Sequence, residues 1–371
     1  MKKFIKPVIG AIIFSVLLSA FAGCSNKSGD TAKLPTVKVG WIQIDGVRPA
    51  LVVAAQQLGY YKEEGINVEF INVDSVPSGI ASVENGKLDV FTLSPMALSS
   101  IAKGSDAAIF AGVATEGSSL VVSKANSDLD WKNFKNWKGK KIGGDPTSPI
   151  TYLLIQYIKE QNPEYTDEGY VEWVHFDDNN VLLEAISNGS VDGGFLTTER
   201  VWLAEERGLK EAFDVAEFLP EFLCCRQTTT LTYISEHRDL LKKLLRAQIR
   251  AEKDYKDSSD KLFEAVAQIT GQTKEHVIRY IGSEKNYYST GLTKYRNPVS
   301  VNPLYNKIIE YDKVSIKAGY YEENPAIDLK KHLDITIYED ALNELIKENP
   351  DDQTYKTMYD LFKTANSQYW E

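Results

Sequence analysis

The sequence predicts an α/β fold of two lobes, each a mixed, mostly parallel sheet flanked by helices, with a helical C-terminal third. Three observations predict it. Short apolar runs with strand periodicity alternate with helical patterns between Thr36 and Phe91, and the same alternation returns between Lys140 and Leu196. The wording repeats along with the order. Glu84-Asn85-Gly86-Lys87-Leu88-Asp89-Val90-Phe91 and Ser187-Asn188-Gly189-Ser190-Val191-Asp192-Gly193-Gly194 each read as a helix end, an Asn-Gly terminator and a strand whose second residue is Asp. From Arg238 onward the spacing of apolar residues is helical.

The elements follow in order. Thr36 to Trp41 alternates as a strand, and Pro49 to Tyr60 reads as an apolar helix closed near Gly59. Ile66 to Ile71 is a second strand, Ile80 to Val83 belongs to a helix, and Leu88 to Phe91 is a third strand. The second series runs through Lys140 to Gly143 (strand), Ile150 to Ile158 (helix), Val171 to Phe176 (strand), Val181 to Ser187 (helix) and Val191 to Leu196 (strand). Cys225 to Tyr233 is β-rich, and Arg238 to Tyr255 is a long amphipathic helix. Ligands of such folds meet the loops at the carboxyl ends of strands.

Composition narrows the function. The 371 residues, 43% hydrophobic and 11% aromatic, suffice for packed cores. A formal charge of −10 argues against nucleic acid or anionic lipid as a broad partner. Three cysteines make no disulfide framework, and His175, His237, His276 and His332 have no metal-site spacing, so neither metal nor cofactor is expected.

A basic start, Met1-Lys2-Lys3-Phe4-Ile5-Lys6, precedes an apolar run from Val8 to Gly23. This is a secretory signal peptide; it falls short of the roughly eighteen apolar residues of a membrane span. Phe21-Ala22-Gly23-Cys24 resembles the bacterial lipoprotein cleavage box, with Phe21 in place of the usual Leu. The resemblance implies a lipid-modified Cys24, residues 24–35 as a tether, and attachment at the outer face of the cytoplasmic membrane or in the periplasm. The mature chain then carries about −13. Outside the cytoplasm there is no ATP or nicotinamide pool, which leaves capture, scaffolding or hydrolysis.

Leu58-Gly59-Tyr60-Tyr61-Lys62-Glu63-Glu64-Gly65-Ile66-Asn67-Val68 resembles a signature of substrate-binding proteins of ABC importers for nitrate, aliphatic sulfonates, taurine and thiamine precursors. Gly86-Lys87-Leu88-Asp89, Trp137 to Gly143 and Cys224-Cys225-Arg226 agree with that frame. The resemblance implies a type II periplasmic-binding-protein fold: lobe 1 from residues 36–125 and 223–371, and lobe 2 from residues 126–222. It implies a monomer that traps one small solute, with an ABC permease and its ATPase as partners, and no catalysis.

Candidate ligand contacts follow strand ends. Gln43, Asp45 and Arg48 follow the first strand; Arg48 suits a bidentate carboxylate, sulfonate or phosphate, or forms an ordinary salt bridge with Asp45. Ser94 follows the third strand. Thr147 and Ser148 open a helix, where the free amides favour an anion, or where Ser148 acts simply as a cap before Pro149. Thr197 and Glu199 follow the last strand of the second series; Glu199 takes an NH-rich group or makes up the acidic first turn of the helix Arg200 to Ala204. Trp41 and Trp202 stack on a flat ligand or belong to the core. Cys224 and Cys225 form a vicinal disulfide or two buried thiols, and Arg226 reaches the cleft mouth or braces the hinge.

A sulfonate- or taurine-like solute heads the expectations, followed by a pyrimidine or other aromatic vitamin precursor. A pyrimidine-synthase-like enzyme and a sensor domain are the readings of other classes. No Gly-x-Ser-x-Gly elbow supports a hydrolase.

Overall fold

The computed structural model describes residues 34–42, 48–92, 96–115, 118–165, 169–176, 178–219, 222–281 and 299–371, with backbone alone at 198–199 and 279–280. Cys24 and the expected signal peptide and tether before Leu34 lie outside the described residues. The first series of elements is β1 (Thr36–Trp41), α1 (Ala50–Gln57), α2 (Tyr60–Glu63), β2 (Asn67–Asn72), α3 (Val76–Glu84), β3 (Val90–Phe91), α4 (Ala97–Ala102) and β4 (Ala107–Ala114). The second comprises β5 (Ser118–Val122), β6 (Lys140–Gly143), α5 (Pro149–Gln161), β7 (Val171–Val174), α6 (Asn179–Asn188), β8 (Gly193–Thr197), α7 (Thr198–Glu206) and β9 (Lys210–Asp214). After β10 (Cys225–Thr230) come α8 (Leu231–Lys256), α9 (Asp260–Thr270), α10 (Lys274–Ile281), α11 (Tyr305–Lys317), α12 (Thr336–Glu348) and α13 (Gln353–Ala365).

Among the described residues these strands form two five-stranded sheets, ordered β2-β1-β3-β10-β4 and β7-β6-β8-β5-β9. The two orders are the same. In the first sheet β1 pairs in parallel with β2 and β3, in the second β6 pairs in parallel with β7 and β8, and the strand beside each triplet, β10 or β5, runs antiparallel. Val37, Val39 and Trp41, which share one face of β1, are buried in the core, while Lys38 on the opposite face is exposed.

The echo in the sequence has a physical cause. Asp89 accepts the Lys38 amide of β1 on its carboxylate at 2.7 Å, and its own amide donates to the Lys38 carbonyl at 3.0 Å. Asp192 treats Lys141 of β6 in the same way, at 2.8 and 2.8 Å. Each Asp therefore starts a parallel pairing by closing a ring with the strand beside it. The glycines before them, Gly86 and Gly189, sit at φ +72° and +77°, where an L side chain is strained.

Two sequence expectations need correction. The chain enters the second sheet at Ser118, since β5 pairs with β8 and β9, so a lobe boundary at residue 126 falls too late. β4 and β5 are consecutive apolar strands with a short link, and no composition shift marks the crossing. The β-run expected to reach Tyr233 ends at Thr230, whose hydroxyl accepts the Tyr233 amide at 3.0 Å and starts α8 directly. The helix is interrupted at His237 (φ −132°, ψ 26°), close to its expected start at Arg238.

The helical C-terminal third belongs to the first sheet. Gly112 donates to the Val301 carbonyl at 3.0 Å, Ser300 to Val113 at 3.2 Å and Asp334 to Ile109 at 3.0 Å, so the outer edge of β4 is covered. Residues 34–371 form one compact unit. No helix among the described residues is long and apolar enough to cross a membrane.

Candidate functional site

The chain passes between the sheets twice, from Ala114 to Ser118 and from Asp214 to Cys225. Cys225 pairs with Ala114, and Ser118 and Ser119 pair with Thr197 and Asp214. Given the strand directions, the carboxyl ends of β1 and β3 lie at the crossover end of the first sheet. Those of β6 and β8 lie at the crossover end of the second. The loops expected to carry ligand contacts thus gather on both sides of the two crossovers.

The loop after β6 is built by Asp145. Its carboxylate accepts the Thr147 amide at 2.8 Å and the Thr147 hydroxyl at 2.7 Å, while Ser148 donates to the Thr151 hydroxyl at 3.1 Å. Ser148 is the N-cap and Pro149 the first residue of α5, as the sequence predicts. The Ser148 side chain caps no amide, so the first turn of α5 keeps its positive end open toward the crossovers.

Thr197 ends β8 and is the N-cap of α7, again without a side-chain capping bond. Among the described residues its buried Oγ1 has no hydrogen-bond partner, and the same holds for Nε of Arg200 in the first turn of α7. Two buried polar atoms left unmatched at one helix start cost free energy unless something else satisfies them. The sequence points to Thr197 through its strand end. Arg200 enters the sequence expectations only as the start of the helix Arg200 to Ala204.

The end of the second crossover carries the cysteines. Arg48 Nη1 lies 3.8 Å from Cys224 Sγ, and Cys224 Sγ lies 2.8 Å from Cys225 Sγ, well beyond a disulfide bond; both cysteines are buried. Burial first, then Cys224, pushes the Cys225 thiol well up, and Arg48 offsets part of this. Arg226 is fully buried, and its Nη1 donates to the carbonyls of Ala114 at 3.1 Å and Cys225 at 2.6 Å. It ties together the ends of β4 and β10 where the two crossovers meet.

Contacts join the lobes on both flanks of this site, the Lys317–Glu160 ion pair at 3.3 Å among them. The Tyr152 hydroxyl of α5 donates to the Ala318 and Gly319 carbonyls at 3.2 and 3.1 Å, and its ring lies 5.3 Å from Tyr320. Burial, then the charge of Asp145, raises the Tyr320 hydroxyl above its ordinary value. On the other flank Trp202 of α7 meets His276 of α10 edge to face at 4.3 Å. Trp41 is 7% exposed and packs on Phe70, so it belongs to the core. Tyr320 lies far along the chain from Tyr152, and no local pattern in the sequence announces their meeting.

Gln43, Asp45 and Ser94 lie outside the described residues, and for Glu199 only the backbone, at the start of α7, is described. Among the described residues no cluster of three or more His, Cys, Asp or Glu could hold a metal ion.

A family model described as NMT1/THI5 like matches residues 49–260, more than half of the chain. No curated protein matches the chain by sequence. Among solved structures the chain is similar to the periplasmic nitrate-binding protein NrtA from Synechocystis PCC 6803 (TM-score 0.66, 13% identity, covering 84% of this chain and 89% of that one). It is also similar to the periplasmic aliphatic sulphonate binding protein SsuA from Escherichia coli (0.61, 12%, 82% and 99%). The desulfurization enzyme DSZB shares the fold as well (0.60, 12%, 84% and 99%).

Proposed function

The chain belongs to the NMT1/THI5-like family, and from that premise we propose that it is an extracytoplasmic receptor that captures a small anionic or zwitterionic solute between two lobes for an ABC importer. A sulfonate- or taurine-like molecule is the first choice. The observation that carries this reading is the pair of unmatched buried atoms at the start of α7, Thr197 Oγ1 and Arg200 Nε. With the open first turn of α5, they make the second lobe's contribution one of hydrogen-bond donors, which suits an acid group. Arg48 faces from the first lobe beside the hinge.

In this reading the lobes close about the crossovers, with Arg226 as the brace, and the lobe organisation follows the two sheets. A lipid on Cys24 anchors the monomer at the outer face of the membrane, and the permease with its ATPase receives the closed form. The receptor is not catalytic, a role supported by its binding-protein neighbours. Tyr152 and Tyr320 at the rim favour a second reading, in which a flat ring such as a pyrimidine is stacked there.

Thermal-shift titration of the intact protein against taurine, alkyl sulfonates, nitrate and a hydroxymethylpyrimidine tests both readings. A solute at 100 times its dissociation constant adds about 2.7 kcal/mol. A shift with a sulfonate supports the first reading and a shift with the pyrimidine the second. No shift with any of them removes both.

A further inference from the structure

A pocket of about 340 Å³ lies away from the crossovers, between α4, the C-terminal half of α11 and the segment 321–329. None of the cleft residues Arg48, Asp145, Thr197 or Arg200 lines it. Its walls include Ile101, Ile316, Ile327 and Leu329, and two carboxylates, Asp312 and Glu323, stand beside them. Such a volume sits at the low end of the range for small-molecule sites, and its make-up, an apolar wall with a few polar groups, is that of a binding site.

The charge is one-sided. Asp312 accepts the Tyr321 hydroxyl at 2.8 Å, and the Asn324 amide is used to hold the Ala102 carbonyl at 2.9 Å. Among the described residues neither Asp312 nor Glu323 has a cation within salt-bridge distance, in a chain where exposed carboxylates such as Glu184 and Glu344 have theirs. Burial, and to a lesser degree Glu323, raises the Asp312 carboxyl, while Tyr321 lowers it; the site thus favours a positive charge that it does not itself supply.

We propose that this pocket is a second binding site, for a primary alkylammonium whose head lies between Asp312 and Glu323 and whose stem lies on Ile101, Ile316 and Ile327. The head offers the positive charge that no described side chain brings to the carboxylates, and the stem covers the apolar wall; a bare metal ion would leave that wall wet. A free amine and a lysine side chain of a docking protein share this chemistry.

Ligand-observed NMR titration of the intact protein with n-hexylammonium tests the proposal, with n-hexanol as the neutral stem and with Asp312→Asn and Glu323→Gln variants. The expected result is saturable binding of hexylammonium, weakened tenfold or more in either variant while the melting temperature is kept. Equal binding of hexanol, or hexylammonium binding unchanged in both variants, overturns it. Competition by Nα-acetyl-lysine methylamide as strong as by free hexylammonium identifies a protein-borne lysine, and weaker competition identifies a free amine; either source satisfies the same site.

Discussion

The hydroxyl of Tyr152 donates to the carbonyls of Ala318 and Gly319, and the Tyr152 ring lies 5.3 Å from that of Tyr320. This ties α5 of the second sheet's lobe to the chain just past the end of α11 in the first. A tie of this kind exists only when the lobes are close, so it biases the balance between open and closed forms.

Tyr152→Phe keeps the ring and removes the two hydroxyl bonds, at a cost of about 1 kcal/mol. The expected outcome is an apparent solute affinity lower by about fivefold, with the unfolding free energy of the separate lobes kept. Small-angle scattering should show a larger radius of gyration for Tyr320→Ala than for the parent chain. Identical scattering and affinity would mean that the contact does not restrain the lobes.

The unmatched atoms at the start of α7 predict opposite effects on stability and binding. Thr197→Val and Arg200→Met each remove a buried polar atom that has no hydrogen-bond partner among the described residues. Stability without solute should stay constant or rise, while solute affinity should fall tenfold or more, about 1.4 kcal/mol. Denaturant unfolding and calorimetric titration read the two effects separately.

Gly112 predicts a strictly structural cost. A Cβ there would lie 2.3 Å from the Asn302 carbonyl oxygen and 2.4 Å from that of Ser300, both backbone atoms that cannot turn aside. Gly112→Ala should therefore push the C-terminal segment off the edge of β4 and cost about 1 to 3 kcal/mol or more. A melting temperature equal to that of the parent would contradict the edge-covering role.

Glu252 gives a pH dependence. It is 2% exposed, and burial raises its carboxyl above the ordinary 4.5, against the lowering effects of Lys256, the Ser300 hydroxyl and the Val301 amide. Between 4.5 and its raised value in the folded chain, the folded state holds the extra proton, so stability contributed below 4.5 is lost as pH rises through that window. Urea unfolding of parent and Glu252→Gln across pH 4 to 8 should show the parent's advantage shrinking with rising pH, within roughly that range. A constant difference would show that Glu252 does not titrate with folding.

Much of the fold was legible because its signals are local. Asp89 and Asp192 are spaced identically after their Asn-Gly terminators, and both close the same ring onto the neighbouring strand. Ser148 and Pro149 open α5 as their residue types require. The crossing into the second sheet was misplaced because β4 and β5 are both apolar strands, and pairing partners leave no mark in a single strand's composition. Thr197 could be found from its strand end. Arg200 and Tyr320 could not, since their roles arise from what meets them in three dimensions.

The central claim is that a small acid is held between the lobes by the start of α7. A crystal structure of the intact protein with the best solute from the thermal-shift panel tests it most directly. The account predicts the solute's acid group within hydrogen-bond distance of Thr197 Oγ1 and Arg200 Nε, with the first turn of α5 beside it. A solute bound elsewhere, with those two atoms still unmatched, would contradict it.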